Sequence, residues 1–362
     1  YLIVCMVLGV YWVLARFRWF ITPVQFQAFS AATTIVTQCW YGLETYVHGP
    51  KFMQEFIKYN YRLFSTPDAG HGGFPGYHFV ILLVGAFPAS VFSIRGQGPM
   101  PGGTGAQREF RRWMIMLFWV VLILFSIARS KIVHYSSMCY FPLTYLAALT
   151  LSRIETGQIS FGLWLKTGVI GIGAIYVLAT LGAPILAQHI DLVKAVVAKD
   201  PFAVANLDAV MNWTYWQAIP GVVLGIVLVL TVVWFNQRQT KRAVVTLFGG
   251  MAVFITLTLW FFIGRIEAIS QGAAMSFFEQ TQGQDVYVKN LGYRSYGPFF
   301  YTQKPPVTNK NYYNERWLLR GPIDKDVLFI AKINRTASLD SLTDATRLGE
   351  KNGFIFYRRV KQ

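Results

Sequence analysis

KFMQEFIKYNYRLFSTPDAGHGGFPGYHF, Lys51 to Phe79, lies between two apolar segments, and its reading decides what kind of chain this is. On a helix through Lys51–Phe64, residues Lys51, Glu55, Lys58 and Arg62 recur at spacings of four, three and four and share one polar stripe. Phe52, Phe56, Tyr59 and Leu63 form the opposite, apolar stripe. Such a helix lies flat at the lipid–water boundary with its apolar face in the acyl region. A solvated connector has the same pattern. The cations Lys58 and Arg62 also suit an anionic lipid head group, because a guanidinium fork matches phosphate oxygens.

The helix ends at Ser65-Thr66-Pro67-Asp68. Gly70, Gly72, Gly73 and Gly76 then put four glycines in seven positions, which fits a binding loop better than a bare connector. His71 is read as a hydrogen-bonding or proton-handling residue, and His78, seven positions on, as a structural residue at the interface. His71 can also ligate a divalent cation, but no third ligand has metal spacing, so no cofactor is required.

The surroundings set the solvent. Hydrophobic residues make up 54% of 362 and charged residues 14%, against about 25% charged in a soluble domain. Mean hydropathy is +0.39, so the bilayer is the expected solvent. The net charge of +16 is explained first by basic residues on one side of a membrane and second by anionic lipid. Nucleic acid is set aside, because no basic patch lies on a soluble fold that reads it. Cys5, Cys39 and Cys139 show neither metal nor redox spacing and read as buried hydrophobes.

A span needs about 20 apolar residues. The candidates are Tyr1–Ala15, Phe20–Cys39, Tyr77–Ile94, Trp113–Ala128, Met138–Leu151, Phe161–Leu186, Ala218–Phe235 and Val244–Ile263. The second carries Gln25, Gln27, Ser30, Thr33 and Thr34, and the fifth is short, so both should face protein. Arg16 and Arg18, then Arg95, Arg108, Arg111 and Arg112, then Arg153, then Arg238, Lys241 and Arg242 fall in alternate loops, which read as cytoplasmic. The loops Trp40–Gly76, Arg129–Ser137 and Gln188–Gln217 then face outward, as does the tail. The chain starts at Tyr1 inside an apolar run with no signal-peptide pattern, and is read as the C-terminal part of a longer protein.

After Gly264 the composition changes. Arg265–Gln280 reads as a helix leaving the membrane, Asp285–Asn290 and Val327–Lys332 as strands, and Phe354–Arg359 as a last strand after the Asn352-Gly353 turn. The fold class expected is mainly α: a polytopic transmembrane helical bundle over 1–264 with an amphipathic interfacial helix, plus a small extracytoplasmic α/β domain over 265–362. The glycines of Gly96–Gln107 make no phosphate loop, because no strand precedes them and no Gly-Lys-Ser/Thr follows. Asn212-Trp213-Thr214 and Asn334-Arg335-Thr336 match the N-glycosylation triplet, which is common by chance.

A second basic cluster, ARSKIVHYSSMCYFP, runs from Ala128 to Pro142 at the outer end of a span. Lys131 and His134 lie three apart, so one turn can present both to an anion, with Arg129 and Tyr135 beside them. Snorkelling from the helix end is the plainer alternative.

GPKFMQEFIKYNYRLF, GHGGFPGYHFVILLVGAFPASVF and SKIVHYSSMCYFPLTYLAAL, in this order, resemble the family 39-type glycosyltransferases. These include protein O-mannosyltransferases and lipid A aminoarabinose transferases, with the type-C glycosyltransferase fold. The resemblance covers Trp40–Leu151 well and the rest loosely. It implies transfer of a sugar from a polyprenyl-phosphate carrier to a lipid, glycan or protein acceptor at the outer face of the inner (plasma) membrane. The family's Arg-Phe element is matched by Arg62-Leu63-Phe64 with one residue between, its Gly-His-x-Gly element by Gly70-His71-Gly72-Gly73, and its Lys-x-x-His-Tyr element by Lys131, His134 and Tyr135. Phe74-Pro75-Gly76 departs from a common Gly-Pro. The implied roles are donor-phosphate binding by Arg62, Lys131, His134, Tyr135 and Lys58, with Gly70, His71, Gly72 and Gly73 in the adjoining loop. The general base, an Asp in the family's first outward loop, has no counterpart here; Glu55 and Asp68 are better explained by helix pairing and a turn. A lipid or small-molecule transporter is a rival reading, disfavoured by polar clusters at span ends and the lack of repeats. A non-catalytic scaffold leaves the outward basic clusters unexplained.

Overall fold

The computed structural model describes residues 2–18, 23–67, 72–100 and 102–361. Asp68, Gly70 and His71 lie outside the described residues. The chain divides into two compact units, Tyr1–Ile175 with Gly225–Met251, and Tyr176–Leu224 with Ala252–Gln362.

The first part of the chain is helical: α1 (Leu2–Leu14), α2 (Pro23–His48), α3 (Lys51–Ser65), α4 (Tyr77–Gly85), α5 (Ala89–Gln97), α6 (Gly105–Ile127), α7 (Tyr140–Glu155) and α8 (Leu163–Gln188). Short α9 (Ile190–Val196) and α10 (Pro201–Asn206) precede α11 (Ile219–Asn236), α12 (Thr240–Thr258) and α13 (Gly264–Gln280). Among the described residues, Gly105–Ile127, Leu163–Gln188, Tyr215–Asn236 and Thr240–Gln280 are long and apolar enough to cross a membrane. Tyr77–Ile94, read from sequence as one span, is instead the pair α4 and α5, bent by 116°. Pro88 sits at the break, where it lacks an N–H to donate and keeps Phe87 from continuing the helix. The two weak spans do form helices. However, α2 carries the glutamines and threonines noted above, and α7, with 16 residues, is only about 24 Å long at 1.5 Å per residue.

Within the first unit the contacts are those of a membrane bundle, where small residues let backbones approach. A Cβ at Gly96 would stand 2.5 Å from the Leu146 carbonyl, so α5 and α7 cross almost in backbone contact. Thr150 donates to the Phe92 carbonyl across the same crossing at 3.0 Å. Leu82, Phe118, Val121, Leu122, Cys139 and Leu143 bury one cluster beneath the site. Buried Cys139 is the small hydrophobe expected from sequence.

The second unit holds a four-stranded sheet of β1 (Tyr287–Leu291), β2 (Val327–Lys332), β3 (Ala345–Lys351) and β4 (Phe354–Arg359), in the order β1-β2-β4-β3. β1 runs parallel to β2, and β2 antiparallel to β4. β3 and β4 form a hairpin whose turn residues Asn352 and Gly353 both have positive φ, 46° and 78°, as a two-residue turn matched to strand twist requires. Both faces of the sheet are covered. Ala273, Ala274 and Phe278 of α13 bury Val288, Leu328, Ile330, Phe354 and Phe356, while Tyr312, Leu318, Ile323 and Leu339 cover Tyr287, Phe329, Ile355 and Tyr357. That is why β2 reads as an unbroken apolar run rather than an alternating one. α10 packs on the sheet too: Phe202 meets Phe354 edge-on at 5.1 Å.

Candidate functional site

α3 forms where the amphipathic stripe predicts it, with Pro50 just ahead of its first turn. It stops because Pro67 drives Thr66 into an extended conformation, φ −133° and ψ 153°. Thr66 answers the Arg62 carbonyl twice, through its N–H and its hydroxyl, each at 2.8 Å. The next two carbonyls, orphaned at any helix end, take partners from a distant segment. Arg129 N–H donates to the Phe64 carbonyl at 3.0 Å and Ser130 N–H to that of Leu63 at 3.1 Å. The Ser130 hydroxyl donates to the Thr66 carbonyl at 2.7 Å. The interfacial helix is thus stapled to the second basic cluster.

Lys131 performs the same service for α6. Its ammonium donates to the carbonyls of Ser126 and Ala128 at 2.6 Å each and of Phe125 at 3.2 Å. Those three bonds use all its donors. The side chain is 6% exposed, and burial holds its pKa below the ordinary lysine range. Two helix C-termini, the negative ends of two dipoles, therefore converge on the segment Arg129–Lys131. The cations at this span end have a structural partner as well as any ligand.

The described part of the Gly-rich loop lies against Lys131. A Cβ at Gly73 would stand 2.9 Å from Lys131 Cγ and 3.3 Å from its Cβ, so only glycine fits. Gly72 faces Pro67, 3.4 Å from where a Cβ would be. His134 and Tyr135 follow on the 3₁₀ segment Val133–Cys139, His134 exposed and Tyr135 packed on Phe125 at 5.5 Å. The structure thus brings the Arg62 end of α3, Gly73 and Lys131 to one junction, with His134 and Tyr135 on the next turn. Lys58 stands one turn back, exposed and paired with Glu55 at 3.5 Å. Arg62 is exposed, with its guanidinium 5.4 Å from the centre of the Tyr59 ring.

The sequence did not single out Ser130 or Ser136. His78 is fully buried, and its Nδ1 lies 3.1 Å from the Ser136 hydroxyl, while Nε2 has no hydrogen-bond partner among the described residues. This pair ties α4 to the 3₁₀ segment, and the run of serines beside Lys131 was its only signal. Below it, an apolar groove of about 290 Å³ opens between α4, α5 and α6, lined by Phe79, Leu83, Ile94, Trp119 and Leu122. Among the described residues, no three His, Cys, Asp or Glu side chains group to hold a metal ion.

No protein-family model matches the chain. Over 171 residues, 43% of its length, it is 27% identical to the undecaprenyl phosphate-alpha-4-amino-4-deoxy-L-arabinose arabinosyl transferase of Pectobacterium carotovorum subsp. carotovorum (strain PC1), covering 30% of that protein. Over 242 residues, 60% of its length, it is 26% identical to the transferase of the same name from Edwardsiella ictaluri (strain 93-146), covering 42%. The chain thus spans less than half the length of these curated relatives. Its fold matches the crystal structure of ArnT from Cupriavidus metallidurans bound to undecaprenyl phosphate, with a TM-score of 0.65 and 16% identity over 99% of this chain and 65% of that one. The apo form of the same protein matches with a TM-score of 0.64 at 14% identity, over 99% of this chain and 64% of that one. The family resemblance read from the three sequence blocks is thereby borne out: the chain is a relative of the lipid-linked aminoarabinosyl transferases and has the helical membrane fold of their solved structure, with a small mixed-sheet domain.

Proposed function

We propose that the chain transfers a sugar from a polyprenyl-phosphate carrier to an acceptor at the outer face of the membrane. The observation that carries this reading is the junction itself, where the interfacial helix, the Gly-rich loop and Lys131 are fastened together across more than 60 residues of sequence. Support comes from the fold shared with a transferase crystallised with undecaprenyl phosphate. The same similarity favours transfer over transport or scaffolding.

In this reading the donor phosphate sits at the junction, within reach of Arg62 and Lys58 from α3 and of Lys131, His134 and Tyr135 from the second cluster, and the carrier chain lies along the spans. The Gly-rich loop, through Gly72 and Gly73, adjoins it. As the glycosidic bond breaks, negative charge grows on the phosphate, and fixed cations in a water-poor site stabilise that charge more than the ground state. Lys131 reaches the phosphate by exchanging one carbonyl partner, since all its donors are occupied without ligand. Residues 265–362 form the extracytoplasmic domain. The acceptor is a lipid, glycan or protein.

Arg62→Ala gives the cleanest test, because the side chain is exposed and its loss spares the core. In membranes given a radiolabelled undecaprenyl-phosphate sugar, Arg62→Ala and Lys131→Ala should each reduce label transfer at least tenfold at normal expression. Near-normal turnover in both removes the phosphate site from this junction.

A further inference from the structure

The cavity on the sheet domain belongs to none of this machinery. It measures about 600 Å³, within the range of small-ligand sites, and opens at the C-terminal end of β1. Its floor is Tyr312, whose ring carries the Lys289 ammonium 5.1 Å from its centre. Its rim holds Tyr296, 87% exposed, and Phe299, 64% exposed, with ring centres 6.4 Å apart. Large aromatic rings so open to water are costly to leave uncovered, and they form a platform beside a cavity. The polar groups around them are Asn290, Arg294 and Glu315. Among the described residues, Arg294 and Glu315 make no ion pair or side-chain hydrogen bond, so both are available to a ligand. Asn290 is pre-set, its amide donating to the Ser295 carbonyl at 3.1 Å and its oxygen accepting from Tyr293 at 3.3 Å.

We infer that this cavity binds a saccharide carrying a negative charge. The flat aromatic faces suit the apolar face of a pyranose ring. The amide and carboxylate at the rim suit its hydroxyls, which need both donors and acceptors. Lys289 and Arg294 outnumber Glu315, so the site favours an anionic sugar over a neutral one. A peptide adding itself as a strand to β1 fits less well, because the Tyr312 hydroxyl already donates to the Val288 carbonyl of that edge strand at 2.8 Å. The inference stands on the sheet domain alone and does not depend on sugar transfer at the junction.

The test is calorimetric titration of the full chain in detergent with trigalacturonate, glucosamine 6-phosphate, neutral maltotriose and an acidic heptapeptide, in low and high salt. Saturable binding of trigalacturonate or glucosamine 6-phosphate, at least tenfold tighter than maltotriose and weakened by salt, is the expected result. The binding sugar tells whether the charge read is a carboxylate or a phosphate. Tyr296→Ala and Arg294→Ala should each weaken it at least fivefold while leaving the circular dichroism unchanged. The inference is overturned if neither acidic sugar binds, if both variants bind as the parent does, or if the peptide binds as tightly as the sugars.

Discussion

Alanine at Gly73 is the sharpest probe of the junction. Gly73 does not need a positive φ, so alanine's backbone is tolerated and only space is at issue. Its Cβ would stand 2.9 Å from Lys131 Cγ, 3.3 Å from Lys131 Cβ and 3.5 Å from Tyr77 Cδ2. A long exposed lysine would swing aside, but Lys131 is buried and tethered through its ammonium to three carbonyls. Either those bonds break or the loop moves, and overpacking of this kind costs about 1–3 kcal/mol. Lys131→Ala alone costs about 2–3 kcal/mol for a charged hydrogen-bond donor lost from buried acceptors. In that background the Cγ is gone, and the Gly73→Ala cost should fall below about 1 kcal/mol. The two substitutions should therefore couple by about 1–2 kcal/mol, above the roughly 0.3–0.5 kcal/mol scatter of independent sites. The stiffening of the unfolded chain by alanine is the same in both backgrounds and cancels. Reversible unfolding of the four proteins in mixed micelles, followed by circular dichroism, measures the cycle. Additive costs would refute the claim that the Gly-rich loop is seated on a fixed Lys131.

Three further outcomes follow from other contacts. Ser136→Ala strips the fully buried His78 of its hydroxyl partner and should lower stability by about 1–3 kcal/mol in the same unfolding assay, with Ser136→Thr costing less. Arg359 is 2% exposed and bonds Asp344 at 2.6 Å and the Leu318 carbonyl at 2.9 Å, so Arg359→Leu should destabilise the sheet domain by about 2–3 kcal/mol, read as faster amide exchange in β4. The Lys361 amide and the Arg358 guanidinium hold the Asp326 carboxyl below its ordinary value of 3.8. A carboxyl with a depressed folded pKa adds stability that is full above its unfolded pKa and lost as pH falls through the folded one. Asp326→Asn should thus lower the melting temperature at pH 6, by an amount that shrinks as pH falls below 3.8.

Much of this architecture was legible because each element carries its own chemistry. The polar stripe Lys51–Glu55–Lys58–Arg62 foretold α3, and Asn352-Gly353 foretold the turn before the last strand. β3 was missed because its residues, Ala345–Lys351, are mostly exposed and polar on a sheet edge, so no apolar period marks them. The bend at Pro88 was missed because Tyr77–Ile94 has the length and hydropathy of a straight span, and composition does not register an angle. In the site, residue types were readable but partners were not. Lys131 was visible as a cation at a span end. That α6 would use all of its donors depends on where a helix begun at Gly105 runs out of N–H groups. The His78–Ser136 bond joins residues 58 apart, and no local pattern specifies it.

The convergence of two helix ends also bears on how the proposed site would discriminate charge. Each helix C-terminus presents roughly half a negative charge, so α3 and α6 together bring about one to the junction. Lys131 stands on the α6 part of that charge and offsets it, while the α3 end is met by the Arg129 and Ser130 amides. Arg62 and Arg129, both exposed, add positive charge at the same junction. A polyprenyl-phosphate sugar is a diester with one negative charge, whereas the released carrier phosphate approaches two at neutral pH. Fixed positive charge there attracts the leaving group more strongly than the donor, which is the condition for electrostatics to speed the step rather than only tighten binding. On this argument Lys131 acts as much by silencing the α6 dipole as by touching the phosphate. Lys131→Arg separates the two contributions. A planar guanidinium keeps the charge but cannot reproduce the three-carbonyl fit of an ammonium. If silencing the α6 dipole is the larger part, Lys131→Arg should lose stability in step with turnover. If direct phosphate contact is the larger part, turnover should survive in the arginine variant and fail only in Lys131→Ala.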